Sequence, residues 1–205
     1  MCLAVVAWQV HPDYPLVLAA NRDEFYARST RPASWWGQSV ELLAGRDEEA
    51  GGTWLGIARS GRIALLTNVR APSERNPHAP SRGALVVSAL QSAQPTGEWL
   101  RAQAPRMQAF NGFNLLVGDG DSLWWSSNVS GERRELVSGI YGVSNHLLDT
   151  PLFLAHDADF FERYREISHS LLRMCQNSDL IYRGTVLEQV ARISDEIARL
   201  AAGTV

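Results

Sequence analysis

The sequence predicts an α+β protein in which antiparallel sheets are layered with helices. Three observations predict it. Strand-like segments come in hairpin pairs through the first third of the chain, two helical stretches sit together in the middle, and the tail repeats a helical spacing. Two sheets held between helices fit that order.

Residues 2–10 are apolar and β-branched enough for a strand, and His11-Pro12-Asp13-Tyr14-Pro15 reads as a turn. Residues 16–20 are a continuous apolar run, as expected of a strand covered on both faces. The two form a hairpin, which brings Arg22 and Asp23 to the strand end beside Cys2. Residues 32–37 carry Trp35 and Trp36 through a loop, and 42–45 form a short strand. Gly51-Gly52 precedes a strand over 53–58, and Ser60-Gly61 turns the chain into 62–67, a second hairpin. Pro72, Asn76, Pro77 and Pro80 make 71–80 a loop. Ser81 caps a helix over about 82–92, and a shorter helix over 96–104 stops before Pro105. Strands return at 113–117 and 122–127, joined by Gly118-Asp119-Gly120-Asp121, and again at 134–137 and 140–143. From about 157 the tail is helical: Phe160, Phe161, Tyr164, Ile167, Leu171 and Leu172 recur at helical spacing, and 185–200 repeats the pattern. No repeat or linker interrupts the chain, so 1–205 is expected to be one domain.

A hydrophobic fraction of 45% and seven tryptophans suffice for a core, and a net charge of -3 argues against a nucleic-acid surface. All 19 basic residues are arginine, which excludes Schiff-base lysine chemistry and a phosphate-loop lysine. Two cysteines, Cys2 and Cys175, make no disulfide framework. The sequence has no charged-then-apolar leader and no apolar run of the ~18 residues a span requires, so a cytoplasmic protein without membrane insertion is expected. The five histidines lack metal-ligand spacing, and no G-x-G-x-x-G, C-x-x-C-H or G-x-S-x-G occurs. No metal site is expected.

The residues that can carry chemistry begin with Cys2. Once Met1 is removed, one residue holds a thiol and a free α-amine, and the amine can act as base for its own nucleophile. Both groups titrate near ~8–8.5, and an adjacent arginine and carboxylate would tune them. Arg22 would favour the thiolate and Asp23 would orient the amine. Asn68 and Asn145 each end a strand-like run, where an asparagine amide can serve a developing oxyanion. The alternatives stay open at this point: Cys2 as a small buried apolar residue, Arg22–Asp23 as a surface ion pair, the asparagines as turn formers. Among the histidines only His146, beside Asn145, is a candidate for the site.

These segments together resemble the NRDE family, which includes the transport and Golgi organization protein 2 relatives. The resemblance is carried by Met1-Cys2-Leu3, Asn21-Arg22-Asp23-Glu24-Phe25-Tyr26, Arg28, Gly45-Arg46-Asp47, Gly52-Thr53-Trp54-Leu55-Gly56, Thr67-Asn68-Val69-Arg70 and Ser144-Asn145-His146-Leu147-Leu148-Asp149. That family in turn is similar to the N-terminal-nucleophile hydrolases of the choloylglycine and penicillin V acylase kind. The resemblance implies a four-layer αββα sandwich of antiparallel sheets, with Cys2 as nucleophile and base, Arg22 and Asp23 beside it, Asn145 in the oxyanion hole and Asn68 a second polar contact. Two segments depart from it. Pro151-Leu152-Phe153-Leu154 replaces a Trp-Pro-Lys-like stretch, and Tyr182-Arg183-Gly184-Thr185 stands where a Tyr-Gly-Thr-Arg-like strand is usual, so a shortened C-terminal sheet is expected.

Two functions follow as expectations. One is a cysteine amidohydrolase acting on a small non-peptide amide through Cys2, with no cofactor required. The other is a non-enzymatic carrier of an amphipathic ligand, for which the resemblance implies haem or acyl-coenzyme A. In the carrier Arg28, Arg46 and Arg70 would join Arg22 in meeting carboxylates or phosphates, and Trp54 would cover the apolar part. Asn21 and Glu24 complete the expected ligand contacts.

Overall fold

The structure, a computed structural model, describes residues 2–149 apart from 11, 13, 23, 26, 37–40 and 70–75. Two compact units divide the chain, Met1–Asp149 and Thr150–Val205. Only the first is described here. The helical tail expected from about 157, the 151–154 departure and the expected shortening of the C-terminal sheet lie outside the described residues.

In chain order the elements are β1 (Leu3–Trp8), β2 (Leu16–Asn21), β3 (Thr30–Trp36), β4 (Leu42–Asp47), β5 (Leu55–Ala58) and β6 (Ile63–Asn68). Then follow α1 (Gly83–Gln91), α2 (Thr96–Met107), β7 (Phe113–Gly118), β8 (Leu123–Ser127), β9 (Arg133–Glu135) and β10 (Gly139–Val143). They build two antiparallel sheets. Among the described residues one has three strands in the order β10-β1-β2, and the other has seven in the order β3-β4-β5-β6-β7-β8-β9.

Strand alternation divides the seven-stranded sheet into two apolar faces. Leu42, Ala58, Ala64, Leu66, Phe113, Leu115 and Val117 face the helices, against Leu85, Val86, Leu90, Trp99 and Leu100. The intervening residues Leu65, Leu116 and Trp125 face the smaller sheet, against Ala4, Val6, Trp8 and Val143. The described layers are therefore helix, sheet, sheet, as an α+β fold requires. β1 is buried along its whole length, because Leu3, Val5 and Ala7 on its other face are also covered.

Three local expectations are corrected. Residues 32–37, read as a loop, belong largely to β3, which among the described residues is an edge strand paired with β4 alone. An edge tolerates Pro32, and the register shifts between Arg31 and Ser34 where the proline sits. The second helix does not stop before Pro105 but runs through it to Met107. Pro105 stands one turn from the end of α2, which limits its cost to the last ladder bonds. Ser81 does not cap α1: the N-cap position is Arg82, and no side chain bonds there. The first turn is instead closed by the Ala84 N–H donating to the Ser81 carbonyl.

Candidate functional site

The three-stranded sheet sets the site by its register. β1 pairs Leu3 with Asn21 and Ala4 with Val143. Continued to the strand ends, that register sets Cys2 between Arg22 of β2's end and Asn145 beyond β10. Cys2 has the parity of Ala4, Val6 and Trp8, so it turns toward the seven-stranded sheet. There β6 ends in Thr67 and Asn68.

Asn145 ties these parts together. The Cys2 N–H donates to Asn145 Oδ1 at 2.9 Å, and Asn145 Nδ2 donates to the Asn68 carbonyl at 2.7 Å. Asn145 is expected from sequence as an oxyanion donor. Its Oδ1 accepts from the Cys2 backbone nitrogen and its Nδ2 donates to β6. Cys2 is 7% exposed. Burial pushes its thiol above the ordinary value, and this outweighs the Arg22 charge and the Asn145 hydrogen bond, which favour the thiolate. Arg22 acts toward the thiolate and burial acts more strongly against it.

The segment carrying Asn145 is pinned from behind. Asn114 of β7 is fully buried. Its Nδ2 donates to the carbonyls of His146 at 2.6 Å and Ser144 at 3.3 Å and to Thr67 Oγ1 at 3.1 Å. Its Oδ1 accepts from Trp125 Nε1 at 3.2 Å. Thr67 Oγ1 donates to the Ser144 carbonyl at 2.6 Å. Leaving one such buried group unpaired costs about 1–3 kcal/mol.

Cys2 opens onto a cleft of about 430 Å³ whose lining includes Asn21, Arg22, Glu24, Arg28, Arg46, Trp54 and Asn68. Among the described residues five arginines line it, Arg22, Arg28, Arg31, Arg46 and Arg82, against Glu24 and Asp47. Arg22 donates to Glu24 at 2.6 Å. Arg28 reaches Asp47 Oδ2 with Nη2 at 2.6 Å and Nε at 3.1 Å. Arg31 pairs with Glu48, and Arg46 lies over the Trp36 ring at 5.2 Å. The Arg82 guanidinium donates to the Gly112 carbonyl at 2.9 Å. One wall of the cleft is the start of α1, which meets the β4–β5 turn at Gly52 and Gly83. A Cβ on Gly52 would come within 2.7 Å of the Gly83 carbonyl carbon, so the two backbones touch because neither residue has a side chain.

The structure therefore brings together Cys2, Arg22, Asn68 and Asn145, and with them Asn21, Glu24, Arg28, Arg46 and Trp54. His146 is exposed and outside the cleft lining; its carbonyl serves Asn114. Asp23 and Arg70 lie outside the described residues. Sequence reasoning missed Arg31, Thr53, Arg82, Thr67 and Asn114. Arg82 had a signal, since it opens a helix, but nothing local tells which helix start faces a cleft. Among the described residues no group of His, Cys, Asp and Glu could hold a metal, and no helix is long and apolar enough to cross a membrane.

Asp47 has a consequence for acid stability. Burial works to raise its pKa, but the Arg28 hydrogen bond and the N–H groups of Ala50 and Glu49 outweigh it and leave the carboxyl below its ordinary value. A folded value below the unfolded one means that the stability Asp47 lends is complete above the unfolded value of ~3.9 and is lost as pH falls through the folded one. The melting-temperature gap between the parent and Asp47→Asn should narrow below pH ~4. A gap that stays constant from neutral pH into that range would contradict this.

The family model described as Transport and Golgi organisation 2 matches residues 1–200. Among curated proteins, the chain is similar to the Transport and Golgi organization protein 2 homolog of Bos taurus, 41% identical over 165 residues, covering 74% of this chain and 59% of that protein. The Homo sapiens homolog is 39% identical over 165 residues with the same coverage. Transport and Golgi organization protein 2 of Drosophila melanogaster is 30% identical over 171 residues, 74% of this chain and 60% of that protein. The chain thus matches about three fifths of the length of these relatives. Among solved structures, it is similar to penicillin V acylase from Agrobacterium tumefaciens, with a TM-score of 0.46 and 11% identity, covering 98% of this chain and 72% of that one.

Proposed function

The chain belongs to the Transport and Golgi organisation 2 family, and we propose that it is a cysteine amidohydrolase that uses Cys2 as its N-terminal nucleophile on a small, anionic, non-peptide amide. The carrying observation is the hydrogen bond from the Cys2 nitrogen to Asn145 Oδ1 at 2.9 Å, made where Cys2 opens onto the cleft. Once Met1 is removed, that nitrogen is the α-amine, and Asn145 holds it beside its own thiol. A thiol kept protonated by burial needs a base, and this amine is one. It takes the thiol proton as sulfur bonds to the amide carbon. The tetrahedral oxyanion collapses, the C–N bond breaks, and the proton passes to the leaving amine. Water, deprotonated by the same α-amine, then attacks the thioester and releases the acid with the thiol restored.

Among the described residues five arginines line the cleft, against Glu24 and Asp47 in the lining and Glu48 and Glu49 paired to Arg31 and Arg28, and this excess of positive charge supports an anionic substrate. The four-layer αββα arrangement of N-terminal-nucleophile hydrolases is part of this proposal. It is supported by the three described layers and by a β1 that is apolar and buried on both faces. A cytoplasmic location goes with it. The experiment is the intact mass of untagged protein, followed by a panel of carboxylate- or phosphate-bearing amides assayed against the parent and Cys2→Ser. Loss of the Met1 mass together with Cys2-dependent release of an amine supports the proposal. A retained Met1 removes the α-amine and ends it.

The same cleft favours one other reading, a non-enzymatic carrier of an amphipathic anion such as haem or acyl-coenzyme A, with Trp54 against its apolar part. Saturable binding of either compound, equal in parent and Cys2→Ala, would mark the carrier.

A further inference from the structure

Asn114 and Thr67 lie outside the cleft lining, yet both spend their side chains on the segment that carries Asn145. Both sit on the face of the seven-stranded sheet that meets the smaller sheet, in the rows of Leu65 and Leu116. Where those neighbours bury apolar groups, Asn114 and Thr67 bury polar ones and reach across to main-chain carbonyls after β10. With the carbonyls of Ser144 and His146 both drawn toward Asn114, the intervening Asn145 side chain is left to face Cys2 and the end of β6. The Asn114 NH2 group is fully used, since three acceptors share its two N–H donors, and its oxygen accepts from Trp125. The whole chain of contacts, Trp125 to Asn114 to Ser144 and His146, ends one residue from the group that binds the Cys2 nitrogen. We propose that Asn114 and Thr67 are positioning residues that fix Asn145 against Cys2 and through it set the reactivity of Cys2. The proposal rests on Cys2 being the reactive group.

The test uses the full chain carrying Cys175→Ser, which leaves Cys2 as its one thiol. The rate of Cys2 alkylation by iodoacetamide is measured across pH for the parent, Asn145→Ala, Thr67→Val, Thr67→Ser and Asn114→Leu. Asn145→Ala reports what loss of the direct contact does. Thr67→Val keeps the shape and removes the hydroxyl, and Thr67→Ser restores it. The expected result is that Thr67→Val and Asn114→Leu change the rate or its pH midpoint in the same direction as Asn145→Ala, by roughly 2- to 10-fold, the worth of one or two hydrogen bonds. Thr67→Ser should return the parent profile. If Asn114→Leu fails to fold, the two Thr67 variants decide alone. A folded Thr67→Val with the parent profile, while Asn145→Ala alters it, overturns the positioning role and leaves the Cys2 reading standing. Equal loss in Thr67→Ser and Thr67→Val also overturns it, because the hydroxyl would then not matter. A parent profile in Asn145→Ala itself overturns the Asn145–Cys2 coupling, and the positioning role with it.

Discussion

Cys2→Ala is expected to abolish the proposed amide turnover and to leave the protein folded. Removing the nucleophile of a covalent hydrolase lowers kcat by on the order of 10⁶-fold, because no second group can take its place at the carbonyl. The structural cost is small by comparison. Cys2 lies at the end of β1, its backbone bond to Asn145 survives in the variant, and a Cys-to-Ala change deletes a single buried atom. Melting temperature and circular dichroism should stay close to the parent while activity vanishes. A folded Cys2→Ala that retains turnover would end the hydrolase proposal.

Asn145→Ala is expected to lower kcat by about 10²–10³-fold, within the contribution of a positioned general base, because the proposed α-amine would lose the group that holds it. KM should change little, because Asn145 is not part of the cleft lining and touches Cys2 rather than the space a substrate fills. The split matters: a higher KM with unchanged kcat would make Asn145 a ligand contact. This variant also costs stability. Asn145 is 5% exposed, and its loss leaves the Cys2 N–H and the Asn68 carbonyl without their partner, at about 1–3 kcal/mol for each group that water cannot reach. Thermal melts and steady-state kinetics on one preparation separate the two effects.

Much of the first half was legible because hairpins are local. The apolar runs at 2–10 and 16–20 named their own partner, and alternation then placed Arg22 beside Cys2. Asn145 could be read as the end of a strand. That its strand lies on the other side of β1 is a contact between residues 143 apart, which no local pattern encodes. The same holds for Asn114, an interior strand residue of unremarkable type whose importance comes from what crosses to it. β3 was missed because Pro32 and the adjacent tryptophans mask any alternation, and an exposed edge does not need one. Arg28 shows the opposite case: the ion pair with its own motif neighbour Glu24 is long at 3.9 Å, and its short contact is to Asp47 on β4.

The common level at which β2, β1 and β10 end makes the residue count of β1 a kind of phase setting. One residue inserted between Cys2 and Ala4 would send the thiol to the opposite side of the sheet, away from both Arg22 and Asn145. Two would return it to the right side but ~7 Å beyond them. Leu3, Val5 and Ala7 point to the other face, so volume-conserving apolar exchanges there leave that phase unchanged. In this strand, length sets where the thiol points.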